Sequence, residues 1–373
     1  MTNDKLLSQS INFLRFPLII GILYVHFYLA KTGLSIHGVK YGADAPAWFF
    51  YLNVFCSGIL SAVSVPMFFW FSGLLFFYKT EFCLEAYKKK LRRRVRTLLV
   101  PYILWNLIAI LWTAKIFVPG LSSLFSNADG VKLNLTIWGF INCFYDNSRG
   151  LFLAPEVNLV NPAIPINGPL WYIRDLMVLV LISPVLYWLI KKLRVWLLLV
   201  MAVFYLFIHL PGYANQFMAP ALFFSWGAYY SINKVDVIER FRKVWFAPLV
   251  FILVSIVDLA TYGTSVSLLM GGLEPFIGIV SLMVIASYLL EKGKVKVNDT
   301  LANSSFFIFA LHTMIIFELA KVLFLVLHLP DSPYALLGLY LTVPFITAFV
   351  CIGLYLFLKR FMPTLCSWLT GGR

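Results

Sequence analysis

The sequence predicts an all-α polytopic membrane protein of about ten transmembrane helices, with both termini cytoplasmic. Three observations carry this reading. Of the 373 residues, 61% are apolar and only 12% are charged, about half the charged share of an ordinary soluble domain, and mean hydropathy is +0.87. The apolar residues fall in long runs without period-2 alternation, so each run satisfies its own backbone as a helix and not as a barrel strand. Lys and Arg, finally, gather in every second loop.

The spans lie near residues 9–30, 48–78, 98–118, 169–190, 195–210, 220–232, 244–260, 272–290, 302–327 and 336–358. The first is too long for a cleavable leader and lacks a small-residue cleavage site. The second exceeds one straight crossing, and Pro66 inside it predicts a kink or a break. The third follows a basic run and enters through Pro101. The fourth opens at Trp171, and Pro184 interrupts it. The fifth and sixth fall short of the usual 20 residues or so. The last three are apolar, with isolated charges at Glu274, Glu318 and Lys321. Between the third and fourth spans, residues 119–168 are rich in Asn, Pro and Gly, as a lid or binding loop would be. No repeat or low-complexity segment divides the chain, so residues 1–373 read as one domain.

Loop charge sets the orientation. With the N-terminus inside, the cytoplasmic positions hold 22 basic residues: Lys5, Lys79, the cluster at 88–96, and groups near 191–194, 234–243, 292–296 and 359–373. The external loops hold four: Lys31, Lys40, Lys132 and Arg149. The net charge of +14 is therefore mainly this inside bias. No loop is large enough for a folded basic surface, which argues against nucleic acid as a partner. Five cysteines without CxxC or CxxH spacing give no support for a metal site or redox pair.

Polar residues inside spans are costly and point to function. Arg15 and His26 share the first span. Eleven residues advance a helix by about 1100°, roughly 20° past three turns, and about 16 Å along its axis. Both side chains thus share one face, the guanidinium in the inner leaflet and the imidazole in the outer third. Histidine suits proton abstraction from a hydroxyl near neutral pH. A packed, hydrogen-bonded histidine is the plainer alternative, and the same-face arginine favours chemistry.

The Arg15-x10-His26 pair resembles the first-helix motif of the membrane acyltransferase-3 family, whose members O-acylate bacterial surface glycans. PMFFWFSGLLFF (66–77) is similar to the family's second-helix segment ending in Ser72–Gly73. KKKLRRRVRTLLVPYILW (88–105) resembles its basic loop with Arg93, Arg96 and Pro101. GPLWYIRDL (168–176) and SSFFIFALH (304–312) resemble its Leu-Trp-Tyr helix start and its late Ser-aromatic-His segment.

The resemblance implies transfer of an acyl group, often acetyl from acetyl-CoA, to a glycan hydroxyl at the bacterial inner membrane. It also implies a stand-alone transferase, since no SGNH-type domain follows, with acyl-CoA as co-substrate and no permanently bound cofactor. Guanidinium suits phosphate, which assigns Arg92, Arg93 and Arg96 to acyl-CoA, with Arg15 adding charge and His26 acting as base or transient acyl carrier. Succinyl or another acyl group would suit the same basic loop. Trp171, Tyr172 and Arg174 stand at the depth of His26 and are candidates for substrate contact; an aromatic belt and a local charge pair are their plainer readings. Glu274 and Glu318 are candidates to orient His26, or else partners of Lys321 or another cation. His312, near mid-membrane, is a structural hydrogen bonder or a site residue. His37, His209 and His328 read as solvated, and Ser72–Gly73 as a close-packing element. A transporter or flippase of lipid-linked glycans is the rival class; a non-catalytic scaffold would not need the Arg–His pair.

Overall fold

The computed structural model describes all residues except 1, 37–38, 42–44, 118–130, 154–162, 209, 211–212 and 373. His37, His209 and much of the 119–168 connection therefore lie outside the described residues. The chain is helical almost throughout. Its main helices are α1 (Asn3–His26), α2 (Ala47–Phe77), α3 (Leu84–Thr113), α4 (Trp171–Leu193), α5 (Val195–Phe207), α6 (Tyr213–Ile232), α7 (Ala247–Ala260), α8 (Ser265–Glu291), α9 (Asp299–Val326), α10 (Pro333–Phe361) and the short α11 (Pro363–Thr370). Seven of them, α1 to α4 and α8 to α10, are long and apolar enough to cross a membrane; for α4 this counts the preceding turn Gly168–Leu170. Helices α5, α6 and α7 stand where the other three spans are predicted. Among the described residues the strands form two minimal antiparallel hairpins, β1 (Leu34–Ile36) with β2 (Val39–Tyr41), and β3 (Lys132–Leu133) with β4 (Phe152–Leu153).

Two helices depart from regularity. Helix α2 carries a π segment at Val54–Leu60 and a turn before Ser64. The Ser61 hydroxyl donates to the Cys56 carbonyl across that break. Pro66 follows it in the first turn of the resumed helix, where its missing N–H has no partner to lose. Helix α3 begins as a polar, exposed stretch, Leu84–Arg94, passes through a π turn at Val95–Leu99 and becomes apolar from Val100. The basic run is thus helical and continuous with the span it precedes.

The chain forms two compact units. The first comprises residues 1–25, 54–93 and 175–305. Here α2 and α6 meet backbone to backbone: a Cβ on Gly73 would lie 1.9 Å from the Phe224 carbonyl oxygen, and one on Gly227 would lie 2.0 Å from that of Trp70. Ser72–Gly73 is a packing element, as its small residues predict. Buried Trp70 stacks on Phe241 and meets Trp226 and Tyr230 edge-on beside this crossing. At the predicted cytoplasmic end, Tyr78 donates to Asp4 at 2.6 Å. Burial, and then that bond, push its phenol up to about 12.

The second unit comprises residues 26–53, 94–174 and 306–373. Phe27, Trp105, Tyr340 and Tyr355 are fully buried in it. Trp105 packs edge-on against Phe307 and its indole N–H donates to the Leu369 carbonyl at 2.9 Å. Gly371 follows α11 in the left-handed region at φ +68°, and a Cβ there would lie 2.6 Å from the Thr97 carbonyl oxygen. A glycine is needed on both counts.

Candidate active site

His26 closes α1, and His312 stands in the middle of α9. The two imidazoles meet within the second unit, ring centroids 5.1 Å apart and planes tilted by 57°. His312 is fully buried. Its Nδ1 lies 2.8 Å from the Phe309 carbonyl oxygen and 3.1 Å from that of Ile308. Carbonyls only accept, so these partners assign the hydrogen to Nδ1 and the lone pair to Nε2. Nε2 is buried and has no hydrogen-bond partner among the described residues. An acceptor left so costs about 1–3 kcal/mol, a cost that active sites retain where the atom has work to do.

An apolar and aromatic shell fixes the pair. Phe27, next to His26, packs on Phe317 at 5.4 Å and stacks on Tyr340. Phe309 lies 6.3 Å from the His312 ring, and Tyr172 meets Phe309 edge-on at 5.8 Å. Two buried amides brace the same layer. The Asn167 side chain donates to the Ala310 carbonyl at 2.9 Å, and its backbone N–H donates to Asn106 Oδ1 at 3.2 Å. The start of α4 is thereby tied to α9 two residues before His312. Sequence reading missed both amides, although Asn106, inside an apolar span, carried the signal that intramembrane polarity gives.

The remaining candidates have surroundings of their own. Arg15 is half-buried on α1, three turns before His26. Trp171 is half-buried at the first turn of α4. Arg174 is buried, donates to the carbonyls of Ala163 at 2.7 Å and Tyr145 at 3.1 Å, and lies 5.3 Å from the Tyr145 ring. It pins the connection ahead of α4. Asp175 accepts from the Tyr213 hydroxyl at 2.7 Å. Glu318 pairs with Lys115 at 2.8 Å and Lys321 at 3.7 Å, matching the plainer expectation of a cation partner. Glu274 belongs to the first unit, buried on α8 beside Asp258 of α7, whose carboxylate accepts from Ser267. Arg92, Arg93 and Arg96 are all exposed, the first two on the polar stretch of α3 and the third in its π turn. Of the expected substrate residues, His312 meets His26 directly, and Tyr172 packs on Phe309, which lies against the His312 ring. Among the described residues no group of three or more His, Cys, Asp or Glu side chains could hold a metal ion.

A family profile described as an acyltransferase domain matches residues 8–362. The chain is also similar to the succinoglycan biosynthesis protein ExoH of Rhizobium meliloti, 27% identical over 379 residues that cover 99% of this chain and 94% of the relative. No solved structure matches.

Proposed function

This chain belongs to the acyltransferase-3 family, and from that premise we propose that it moves an acyl group, acetyl foremost, from cytoplasmic acyl-CoA to a glycan hydroxyl. The coarser part stands on the family match and on the relative's role in succinoglycan biosynthesis: a multi-pass membrane acyltransferase acting on polysaccharide. The donor and the role of histidine are the finer reading.

The carrying observation is the His26–His312 contact. In direct transfer His26 takes the proton of the acceptor hydroxyl as its oxygen attacks the thioester carbonyl carbon. The C–S bond breaks, the sulfur leaves as thiolate, and the proton on the imidazole returns to it as free CoA thiol. His312, its Nδ1–H committed to the helix carbonyls, offers the buried Nε2 lone pair beside this base. That lone pair is an acceptor for the proton that the neighbouring ring takes up. General-base help of this kind contributes about 10²–10⁴-fold. The predicted topology supports the direction of transfer, because Arg15 and the basic run lie toward the side where acyl-CoA is made.

The test uses purified protein in lipid nanodiscs with labelled acetyl-CoA and an extracted glycan pool. Wild type is expected to label glycan and His26→Ala to fall to background. Equal labelling by His26→Ala would overturn the mechanism. Labelling from another acyl-CoA with none from acetyl-CoA would correct the acyl group alone.

A further inference from the structure

The α7–α8 hairpin of the first unit holds two carboxyl groups that the proposed chemistry does not use. Asp258 stands in the last turn of α7 and Glu274 in the apolar middle of α8, with relative exposures of 7% and 1%. Ser267, Gly271 and Glu274 recur at i, i+4, i+7 spacing, so they share one face of α8. That face meets Asp258. The Ser267 hydroxyl donates to Asp258 Oδ1. Gly271 leaves room beside Oδ2, which a Cβ there would approach to 3.8 Å. The Glu274 carboxyl hydrogen-bonds that of Asp258, and buried Glu274 Oε1 receives no N–H or hydroxyl among the described residues.

Two carboxylates cannot share such a contact. Like charges this close, in an apolar span, drive one group to keep a proton. No Lys, Arg or His occurs in α7 or α8, nor in α2, α5 or α6, which pack against them. Tyr205 of α5 is the titratable side chain from those neighbours that Glu274 influences. The other charge on these helices, Glu291, lies about 25 Å further along α8, paired with Arg242 at 2.7 Å. Asn and Gln would make a buried hydrogen bond as well. Acids in their place add one property, the ability to release the proton, and acids inside a span are by default functional. The hairpin is built to respond. Ser267 is half-buried beside the turn at 261–264, which is largely exposed at the predicted external side, so its hydroxyl links Asp258 to outside water. Pro275 follows Glu274 and removes the N–H that would bond the Gly271 carbonyl. Helix α8 therefore bends most readily beside the pair.

We infer that Asp258 and Glu274 form a proton-binding site, filled from the external face, that latches α7 to α8. With one proton between them, the carboxyls hold the two helices together. When it leaves to external water, two negative charges face each other and the hairpin loosens at Pro275. The ligand is the proton itself, and the first unit thereby responds to acidity on the external side of the membrane.

The test uses full-length protein in nanodiscs and requires no acyl transfer. With carbon-13 in the Asp and Glu carboxyls, infrared spectra at neutral pH should show a protonated carboxyl that is lost in alkaline buffer and is missing from Glu274→Gln. Hydrogen exchange of residues 258–274 supplies the second readout. Glu274→Gln and Asp258→Asn each keep the hydrogen bond without a second charge. All three proteins should exchange alike in acid. In alkaline buffer wild type should exchange at least about tenfold faster than either variant, the factor that one pK unit of like-charge interaction supplies. In sealed right-side-out vesicles the change should follow external pH. Absence of the protonated-carboxyl band would overturn the inference, as would equal exchange by all three proteins at every pH. A response to internal pH alone would contradict external filling. A wild-type response that follows sodium at constant pH would assign the pair to a metal cation, which also overturns it. The infrared measurement on wild type decides the matter even where a variant fails to fold.

Discussion

His312 has little freedom at Nδ1, because the two carbonyls it faces belong to its own helix. Nε2 is therefore the atom available for a role beside His26. Asparagine separates the two functions: its amide can still donate to a helix carbonyl, but it has nothing at the Nε2 position. His312→Asn is expected to melt near wild type and to lose about 10²-fold or more in kcat, and steady-state transfer assays on the two purified proteins check this. If the rings act as a unit, His26→Ala combined with His312→Asn loses no more than His26→Ala alone. At this scale the sequence was informative about depth and silent about direction. His26 stood out because Arg15 shares its face, which helix geometry alone decides. Glu274 and Glu318 had a suitable depth too, yet which neighbour a side chain faces depends on helix packing that span positions do not encode. The two glutamates accordingly turn to Asp258 and to Lys115 with Lys321. Arg174 reads as a substrate contact, and span positions do not show that its guanidinium also holds the carbonyls of Tyr145 and Ala163.

Among elements, the α2–α6 crossing is fixed by glycines at Gly73 and Gly227. A methyl at either position falls on a carbonyl of the facing helix, and backbone cannot swing aside as a side chain can. Gly73→Ala is expected to cost about 3 kcal/mol and to lower the melting temperature in detergent. Gly353→Ala, where nothing lies within 4 Å, should match or slightly exceed wild type because alanine favours helix. Equal melting of both variants would refute the close approach. The Ser-Gly pair made this contact legible, whereas the break in α2 was only half legible. Pro66 pointed to the right helix, but the irregularity lies earlier, at Val54–Leu60, where the Ser57–Gly58 pair is the local signal. Helix α3 shows the same limit: a basic run looks like a loop until its helical continuity with Val100 is seen.

For the molecule as a whole, charge in alternate loops gives an orientation that can be read from either side of the membrane. Cys83 is exposed at the predicted inner face. A membrane-impermeant maleimide should label it in inverted vesicles and leave it unlabelled in intact cells, and the opposite pattern would reverse the topology. The same chain order has a consequence for synthesis. His26 leaves the ribosome with the first helix, and His312 only with the ninth. Until then the growing polypeptide carries one half of the proposed pair, however well its early helices have inserted. On the proposed mechanism, a product stalled before α9 would be a membrane resident without acyl-transfer chemistry, so that completion of translation itself would license the enzyme.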